Sequence, residues 1–178
     1  MGLVLKEFKQ NFDLLRKLIE PLGVNEFLRD YYEKKPLLSP DNKCRNFGDL
    51  ISLKKLDHLL ATSELPPASI DMARSKPPIS KANFTFKSGN IDRGAVVRHY
   101  QRGATIIFPQ INLAIDELAN FCRNLEFELS CKVQTNVYLT PRNSQGFKTH
   151  YDDHDVFIMQ IHGKKNWNLY QQAVEKPF

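Results

Sequence analysis

The chain has 178 residues, of which 42% are hydrophobic and 25% are charged. This composition is typical of a globular protein and excludes a fibrous or wholly disordered chain. No apolar run approaches the roughly 18 residues that a membrane span needs, and residues 1–10 lack the apolar core of a signal peptide. We therefore expect a cytoplasmic protein, or a nuclear or nucleolar one in a eukaryote, with one ordinary domain or one domain and an appendage.

Cysteine usage and net charge restrict the function further. Cys44, Cys122 and Cys131 are widely spaced, and no CxxC or Cys/His pairing supports a disulfide framework or a zinc ribbon. We expect reduced, buried thiols. The net charge of +5 is compatible with RNA or ribosome proximity, but the scattered basic residues do not by themselves predict nucleic-acid binding.

The first third of the chain predicts three helices. The first ends at Pro21, Leu22 and Gly23. Asn25 is predicted to cap a second helix over 26–33, and Ser52 to cap a third. The apolar residues of the three helices recur at helical spacing and are assigned to the core. They are Phe12, Leu15, Leu18 and Ile19; Phe27, Leu28, Tyr31 and Tyr32; and Leu53, Leu56, Leu59 and Leu60.

After the double prolines at 66–67 and 77–78 the pattern alternates between strands and helices. Ile70 and Met72 form a short alternating segment between these breaks. Further along, helices are predicted over 90–102 and 110–125, and strands over 104–108, 132–139, 156–161 and 166–170. Helices followed by an antiparallel β region predict an α+β fold. We place an N-terminal helical region at 1–65 and a β domain at 66–178.

Two histidines and three aspartates fall within six positions, from His150 to Asp155. On a strand, His150 and Asp152 point to the same face because side-chain direction repeats every two residues. One imidazole and one carboxylate are two thirds of the two-His, one-carboxylate set that suits non-haem Fe(II). The spacing alone is a weak signal, and the plainer interpretation is a polar loop with a solvated charge cluster. His154 would lie too far along the same strand to share the metal.

The flanks of this segment carry a family resemblance. The runs 150–160 and 163–170 closely resemble the Jumonji C (JmjC) oxygenases. More narrowly, they resemble the cupin-like branch that contains the ribosomal oxygenases, which are Fe(II)- and 2-oxoglutarate-dependent protein hydroxylases. Residues 136–141 and 145–147 match the same pattern, and the segments 32–38 and 103–118 match it more loosely.

The resemblance implies a role for each site residue. It assigns His150 and Asp152 as the first two iron ligands. Lys165 matches the lysine that binds the distal carboxylate of 2-oxoglutarate, and a lysine ammonium is a compact partner for a carboxylate. Asn136 matches a pocket asparagine near the cosubstrate, and Tyr138 lines the same cavity. The residues alone leave two alternatives open: Lys165 as a solvated turn lysine, and Asn136 as a strand residue that satisfies neighbouring backbone.

The remaining candidate residues receive structural assignments. Trp167, the only tryptophan, is assigned to the core or to the rim of a barrel. His58 and His99 fall on predicted helices, and His162 falls in a predicted turn.

The same resemblance implies that the β region is the first part of a double-stranded β-helix, the cupin or JmjC jelly roll. It also implies a second histidine ligand on a later strand, and no histidine follows His162. We therefore expect this sequence to be an N-terminal piece of a longer protein, whose complete form is a homodimer. The third iron ligand is expected beyond Phe178.

Two functions from different classes follow. The first is a 2-oxoglutarate-dependent hydroxylase that acts on a protein, by resemblance on a histidine or arginine of a ribosomal protein, although related JmjC proteins act on lysine methyl groups. The alternative is a non-catalytic interaction domain that binds a ribosomal or RNA partner. Salt-sensitive RNA binding without a response to iron or 2-oxoglutarate would favour the alternative. A cupin isomerase or storage barrel shares the fold but not the context of Lys165 and Asn136.

Overall fold

A computed structural model describes residues 12–39, 47–62 and 67–170. Within these ranges the chain has five α-helices and one three-stranded antiparallel sheet, so the predicted α+β class is confirmed. The helices are α1 (Asp13–Ile19), α2 (Val24–Asp30), α3 (Leu53–Thr62), α4 (Arg93–Gln101) and α5 (Asp116–Leu129). The strands are β1 (Asp71–Ala73), β2 (Thr105–Phe108) and β3 (Val137–Leu139). None of the helices in the described ranges is long and apolar enough to cross a membrane.

The described residues form two compact units. The first unit contains 12–39 and 120–133, and the second contains 47–62, 67–119 and 134–170. Helix α5 contributes its start to the second unit and the remainder to the first. The division into regions at residue 65 stays a prediction.

Helix α1 of the first unit is held by a buried carboxylate on α5. The N-cap, Phe12, offers no side-chain acceptor to the first turn of α1, although the first N–H groups of a helix have no partner within it. Glu128 supplies the acceptors: its Oε1 lies 2.8 Å from the Leu14 nitrogen and its Oε2 lies 2.7 Å from the Leu15 nitrogen. The contact is buried at Glu128 and at Leu15, so water cannot readily replace either bond.

Helix α2 begins and ends earlier than predicted. Its N-cap is Gly23, in an extended conformation, so the prediction that Asn25 caps the helix is wrong. The N–H groups of Tyr31 and Tyr32 both donate to the Phe27 carbonyl at 2.9 Å, which closes the helix before its predicted end. Phe27 is buried as expected.

Helix α3 of the second unit starts where the sequence predicts. The Ser52 hydroxyl accepts a hydrogen bond from the Lys55 nitrogen at 3.2 Å, which confirms the predicted cap. Leu56 is buried, whereas Leu53 is 45% exposed.

Strand β2 is the centre of the second unit. It pairs antiparallel with β1 on one edge and with β3 on the other, and all four of its residues are buried. Strands buried on both faces are nearly all apolar, in agreement with Thr105 as the one polar residue of β2. The core around β2 includes Ile51, Leu56, Ile70, Met72, Phe84, Ile91, Ala95, Val96, Ile111, Ile115 and Leu118.

The predicted helix over 110–125 is divided in the structure. Gln110 adopts a left-handed conformation with φ of 49°, a short 3-10 turn follows at Ile111–Leu113, and α5 then runs past the predicted end to Leu129. The Ile111 nitrogen donates to the Thr135 carbonyl and the Asn112 side chain accepts from the Thr135 nitrogen, both at 2.9 Å. These bonds to the chain after α5 replace the helical bonds that the pattern predicts.

The predicted strand over 132–139 is shortened to β3 for a related reason. The Glu126 carboxylate accepts a hydrogen bond from the Val133 nitrogen at 3.0 Å, and the Asn112 side chain accepts one from the Thr135 nitrogen. Because side chains already satisfy these backbone groups, no ladder partner is needed before Val137.

The strands predicted over 156–161 and 166–170 are absent from the structure. Residues 156–161 do alternate between exposed and half-buried, and Ile161 packs against the core. A strand, however, requires a hydrogen-bonded partner, and neither segment pairs with another part of the described chain. The alternating pattern of residues 156–161 predicted which side chains are more exposed, but it did not predict whether the backbone pairs with another strand.

The cysteines match their prediction only in part. Cys122 is buried, but Cys131 is exposed, so the expectation that all three thiols are buried is wrong. Cys44 lies outside the described residues.

Replacing Glu128 by Gln tests the anchor of α1. The amide has one acceptor oxygen, so one buried backbone N–H loses its partner, and we expect the free energy of unfolding to fall by about 1–3 kcal/mol. Chemical denaturation measures this difference. The control is Glu26→Gln on α2, where the side chain is exposed and the expected change is within about 0.5 kcal/mol. Equal stability of the two variants would contradict the anchor.

Candidate metal and cosubstrate site

The register of β3 on β2 positions the first two candidate residues. Tyr138 pairs with Ile107, and its neighbours Val137 and Leu139 pack against the core. Since side chains alternate along a strand, the Tyr138 ring faces away from that core and is 46% exposed. The Asn136 side-chain oxygen accepts from the Gln110 nitrogen at 2.9 Å, so a cosubstrate contact by Asn136 would come from its amide nitrogen.

The chain after β3 is held against the ends of β1 and β2. The hydroxyls of Thr140 and the buried Thr105 lie 3.0 Å apart, and the Ser75 nitrogen donates to the Gln145 carbonyl at 3.0 Å. Gly146 packs so closely that a Cβ at this position would lie 2.7 Å from Thr105 Oγ1. Only glycine fits this contact without displacing a neighbour.

Phe147 follows directly and joins two of the candidate residues. Its ring centroid lies 5.8 Å from that of Tyr138, at an interplanar angle of 79°, and 5.3 Å from that of His150. The edge-to-face contact with Tyr138 is a favoured aromatic geometry. The His150 ring is therefore connected to the Tyr138 ring through Phe147.

The hydrogen bond made by His150 determines which of its nitrogens can bind a metal. Its Nδ1 lies 2.8 Å from the Lys148 carbonyl oxygen. A carbonyl only accepts, so Nδ1 carries the proton of this bond, and Nε2 is the nitrogen whose lone pair can bind a metal in the neutral imidazole. Metal-binding histidines usually donate their second nitrogen to an acceptor in this way.

Asp152 completes the candidate pair of ligands. Both His150 and Asp152 are exposed, and their imidazole and carboxylate donors are chemically suited to two positions on Fe(II). The described residues contain no cluster of three or more His, Cys, Asp or Glu side chains that could hold a metal ion. The fit is therefore one of donor chemistry at two positions.

His154 is engaged with its neighbour instead. Its Nδ1 donates to Asp153 Oδ1 at 3.0 Å, and this hydrogen bond holds the pKa of the Asp153 carboxyl below its usual value. Both side chains are exposed, so the pair contributes little to stability.

Lys165 lies against aromatic rings. Its Nζ is 5.9 Å from the Tyr138 ring centroid and 5.5 Å from the Trp167 ring centroid, within reach of cation–π attraction. Partial burial lowers the pKa of the Lys165 ammonium below its ordinary value of 10.5. Lys165 is also exposed to solvent, so both alternatives for it stay open.

Two residues of this surface were missed by the sequence analysis. Trp167 is 54% exposed, so of its two predicted places the core is wrong and the rim of a barrel stays a prediction. Its position two residues after Lys165 could have indicated that it lies on the same surface, since side chains two apart in an extended segment share a face. Phe147 falls in the run 145–147 that matches the family pattern, but this match did not predict its ring contacts, because they depend on how the chain passes Thr105.

Three further histidines lie on α3, on α4 and beside Gly163. His58 and His99 lie on α3 and α4, as predicted, and His99 Nε2 lies 3.2 Å from the Asn83 carbonyl oxygen. His162 is exposed near Gly163, whose φ is 73°, in agreement with the predicted turn.

Comparison with known proteins shows which family the chain resembles. Residues 109–177 match the model of the JmjC domain. The predicted resemblance to the JmjC family is thereby confirmed. Relatives named bifunctional lysine-specific demethylase and histidyl-hydroxylase NO66 cover most of the chain. That of Drosophila persimilis is 35% identical over 164 residues, which are 92% of this chain and 24% of the relative. That of Drosophila melanogaster is 31% identical over 89% of this chain and 24% of the relative.

The chain corresponds to a limited part of these relatives. It spans 24% of the Drosophila persimilis protein and 17% of the relative from Drosophila pseudoobscura pseudoobscura, which is also 35% identical. The α+β architecture is consistent with part of a JmjC or cupin-like domain.

Replacing Gly146 by Ala tests the contact that precedes the site. The added methyl group would overlap the side chain of the buried Thr105, and we expect the free energy of unfolding to fall by about 1–3 kcal/mol. Thermal or chemical unfolding measures the loss. The control is Gly94→Ala in α4, where the nearest atom belongs to the flexible Arg98 guanidinium at 3.1 Å and where Ala favours the helix. If Gly146→Ala were as stable as Gly94→Ala, the close packing at Thr105 would be refuted.

Proposed function

We propose that the protein to which this chain belongs is an Fe(II)- and 2-oxoglutarate-dependent oxygenase that hydroxylates a protein side chain. One observation carries the proposal. The ring contacts run without interruption from His150 through Phe147 to Tyr138, and Lys165 lies over the same Tyr138 ring. The candidate metal ligand and the candidate cosubstrate anchor thus share one surface.

Each candidate residue has a defined task in this proposal. His150 Nε2 and the Asp152 carboxylate bind the metal, and the bond from Nδ1 to the Lys148 carbonyl fixes the orientation of the imidazole. Lys165 binds the distal carboxylate of 2-oxoglutarate, and Asn136 and Tyr138 line the pocket around it. When bound, Fe(II) together with 2-oxoglutarate supplies the oxidising chemistry of the reaction.

The environment of Lys165 favours an anionic partner. Its ammonium is partly removed from water, which disfavours the charged form. A carboxylate at hydrogen-bonding distance restores the lost stabilisation. A hydrogen bond to a charged group contributes about 1.5–3 kcal/mol, so removal of the Lys165 side chain should weaken 2-oxoglutarate binding about 10-fold or more.

The substrate class is a protein. The Drosophila relatives carry both lysine-specific demethylase and histidyl-hydroxylase in their name, and we propose the hydroxylation of a histidine, with a ribosomal protein as the substrate. The two activities give different products, because hydroxylation adds one oxygen atom to the histidine whereas demethylation removes a methyl group from lysine. Mass spectrometry of histidine-containing and methyl-lysine peptides distinguishes them.

Calorimetric titration of this chain with Mn(II), a redox-stable stand-in for Fe(II), tests the site. We expect Mn(II) to bind and 2-oxoglutarate to strengthen the binding. His150→Ala and Asp152→Ala should abolish Mn(II) binding, whereas Lys165→Ala should keep it and lose the effect of 2-oxoglutarate. His154→Ala is the matched control, because this histidine is paired with Asp153 and should leave both affinities unchanged.

Two results would contradict the proposal. One is a loss of Mn(II) binding in His154→Ala equal to that in His150→Ala, which would indicate a diffuse charge cluster. The other is the absence of any response to Mn(II) or 2-oxoglutarate together with salt-sensitive RNA binding, which would favour a non-catalytic interaction domain.

A further inference from the structure

The position of the Lys165 side chain depends on two rings that approach it from different parts of the second unit. Tyr138 belongs to β3 and is held by its pairing with β2. Trp167 belongs to the segment 164–170, which has no strand pairing in the structure. None of the ion pairs formed by the described residues includes Lys165.

We propose that Trp167 is a positioning residue that, together with Tyr138, holds the Lys165 ammonium at the cosubstrate end of the site. This inference rests on the proposed function, because it assigns a purpose to the Lys165 geometry. Trp167 acts through Lys165 and is not itself expected to touch the metal or the reacting atoms.

The reason is the freedom of an unrestrained lysine. Its flexible four-carbon stem loses considerable rotamer entropy when the ammonium is fixed in one place. An ammonium over the face of an aromatic ring is attracted by the ring quadrupole, most strongly by that of tryptophan. Two rings, at 5.5 and 5.9 Å from Nζ, restrict the ammonium before any ligand arrives. Less entropy is then lost on binding a carboxylate.

The same contacts also connect the segment 164–170 to the sheet. The Trp167 ring, two residues after Lys165, lies near the Lys165 ammonium. The Tyr138 ring, which is fixed on β3, lies near the same ammonium. Gly163, with φ of 73°, permits the chain to turn just before this segment. A leucine at position 167 would keep apolar volume but would remove the ring face that attracts the ammonium.

Nuclear magnetic resonance of the free chain, with lysine labelled with carbon-13 at its ε position, tests the proposal. Aromatic rings shift protons above their faces upfield, so the ε protons of Lys165 should resonate upfield of those of solvated lysines. The variant Lys165→Arg identifies the signal by removing it. Trp167→Leu should lose more than half of the upfield shift, whereas Trp167→Phe, which restores a ring face, should keep most of it.

The matched control is Tyr170→Leu. Tyr170 is also an exposed aromatic residue, at 69%, and lies in the same segment, but no ring contact places it over Lys165. This variant should leave the Lys165 signal unchanged. A wild-type Lys165 signal at the position of solvated lysines, or one that Trp167→Leu does not move, would overturn the proposal.

Titration of the labelled chain with a metal and 2-oxoglutarate separates this inference from the proposed function. With Zn(II) as a diamagnetic metal, 2-oxoglutarate should move the Lys165 signal in the wild-type chain. Trp167→Leu should weaken 2-oxoglutarate binding several-fold without changing the affinity for Zn(II), a division that a general loss of structure would not produce. If the signal depends on Trp167 but does not respond to 2-oxoglutarate, the positioning by Trp167 stands and the cosubstrate assignment fails.

Discussion

The contact of Gly146 with Thr105 determines where the candidate site lies. Thr105 is the one polar residue of β2, a strand buried on both faces and paired on both edges, and such a strand has little freedom to move. Because Gly146 has no side chain, the chain that leaves β3 can pass directly over Thr105. Phe147 therefore begins from a fixed point, and its ring can contact both Tyr138 and His150. The positions of these three rings therefore depend on the packing of β2 in the core.

Elements with a clear apolar period could be predicted from the sequence. Helices α1 and α3, strand β2 and the short strand β1 fall close to their predicted places, because burial of their apolar residues decides their structure. The chain on either side of α5 could not be predicted. There the side chains of Asn112 and Glu126 bind the nitrogens of Thr135 and Val133, and a competition between side-chain and ladder hydrogen bonds leaves no trace in the hydrophobic pattern.

The candidate site shows the same division. His150, Asp152 and Lys165 can be named from a motif and a family resemblance. The match of residues 109–177 to the JmjC domain supports that resemblance. The contributions of Phe147 and Trp167 arise from contacts between residues distant along the chain, such as the one between Lys165 and Tyr138. A local motif cannot specify such contacts, since they depend on the path of the loop past Thr105. The structure adds the ring and cation–π contacts between these residues.

The proposed site holds one metal ion at His150 and Asp152, on the surface that carries Lys165. Paramagnetic broadening of the assigned amide signals by Mn(II) measures this most directly, because the effect falls steeply with distance from the metal. Substoichiometric Mn(II) should broaden the signals of His150, Asp152 and Phe147 before those of other residues. Broadening spread over the acidic residues of the whole surface, or centred on Asp153 and His154 with the His150→Ala variant unaffected, would contradict it.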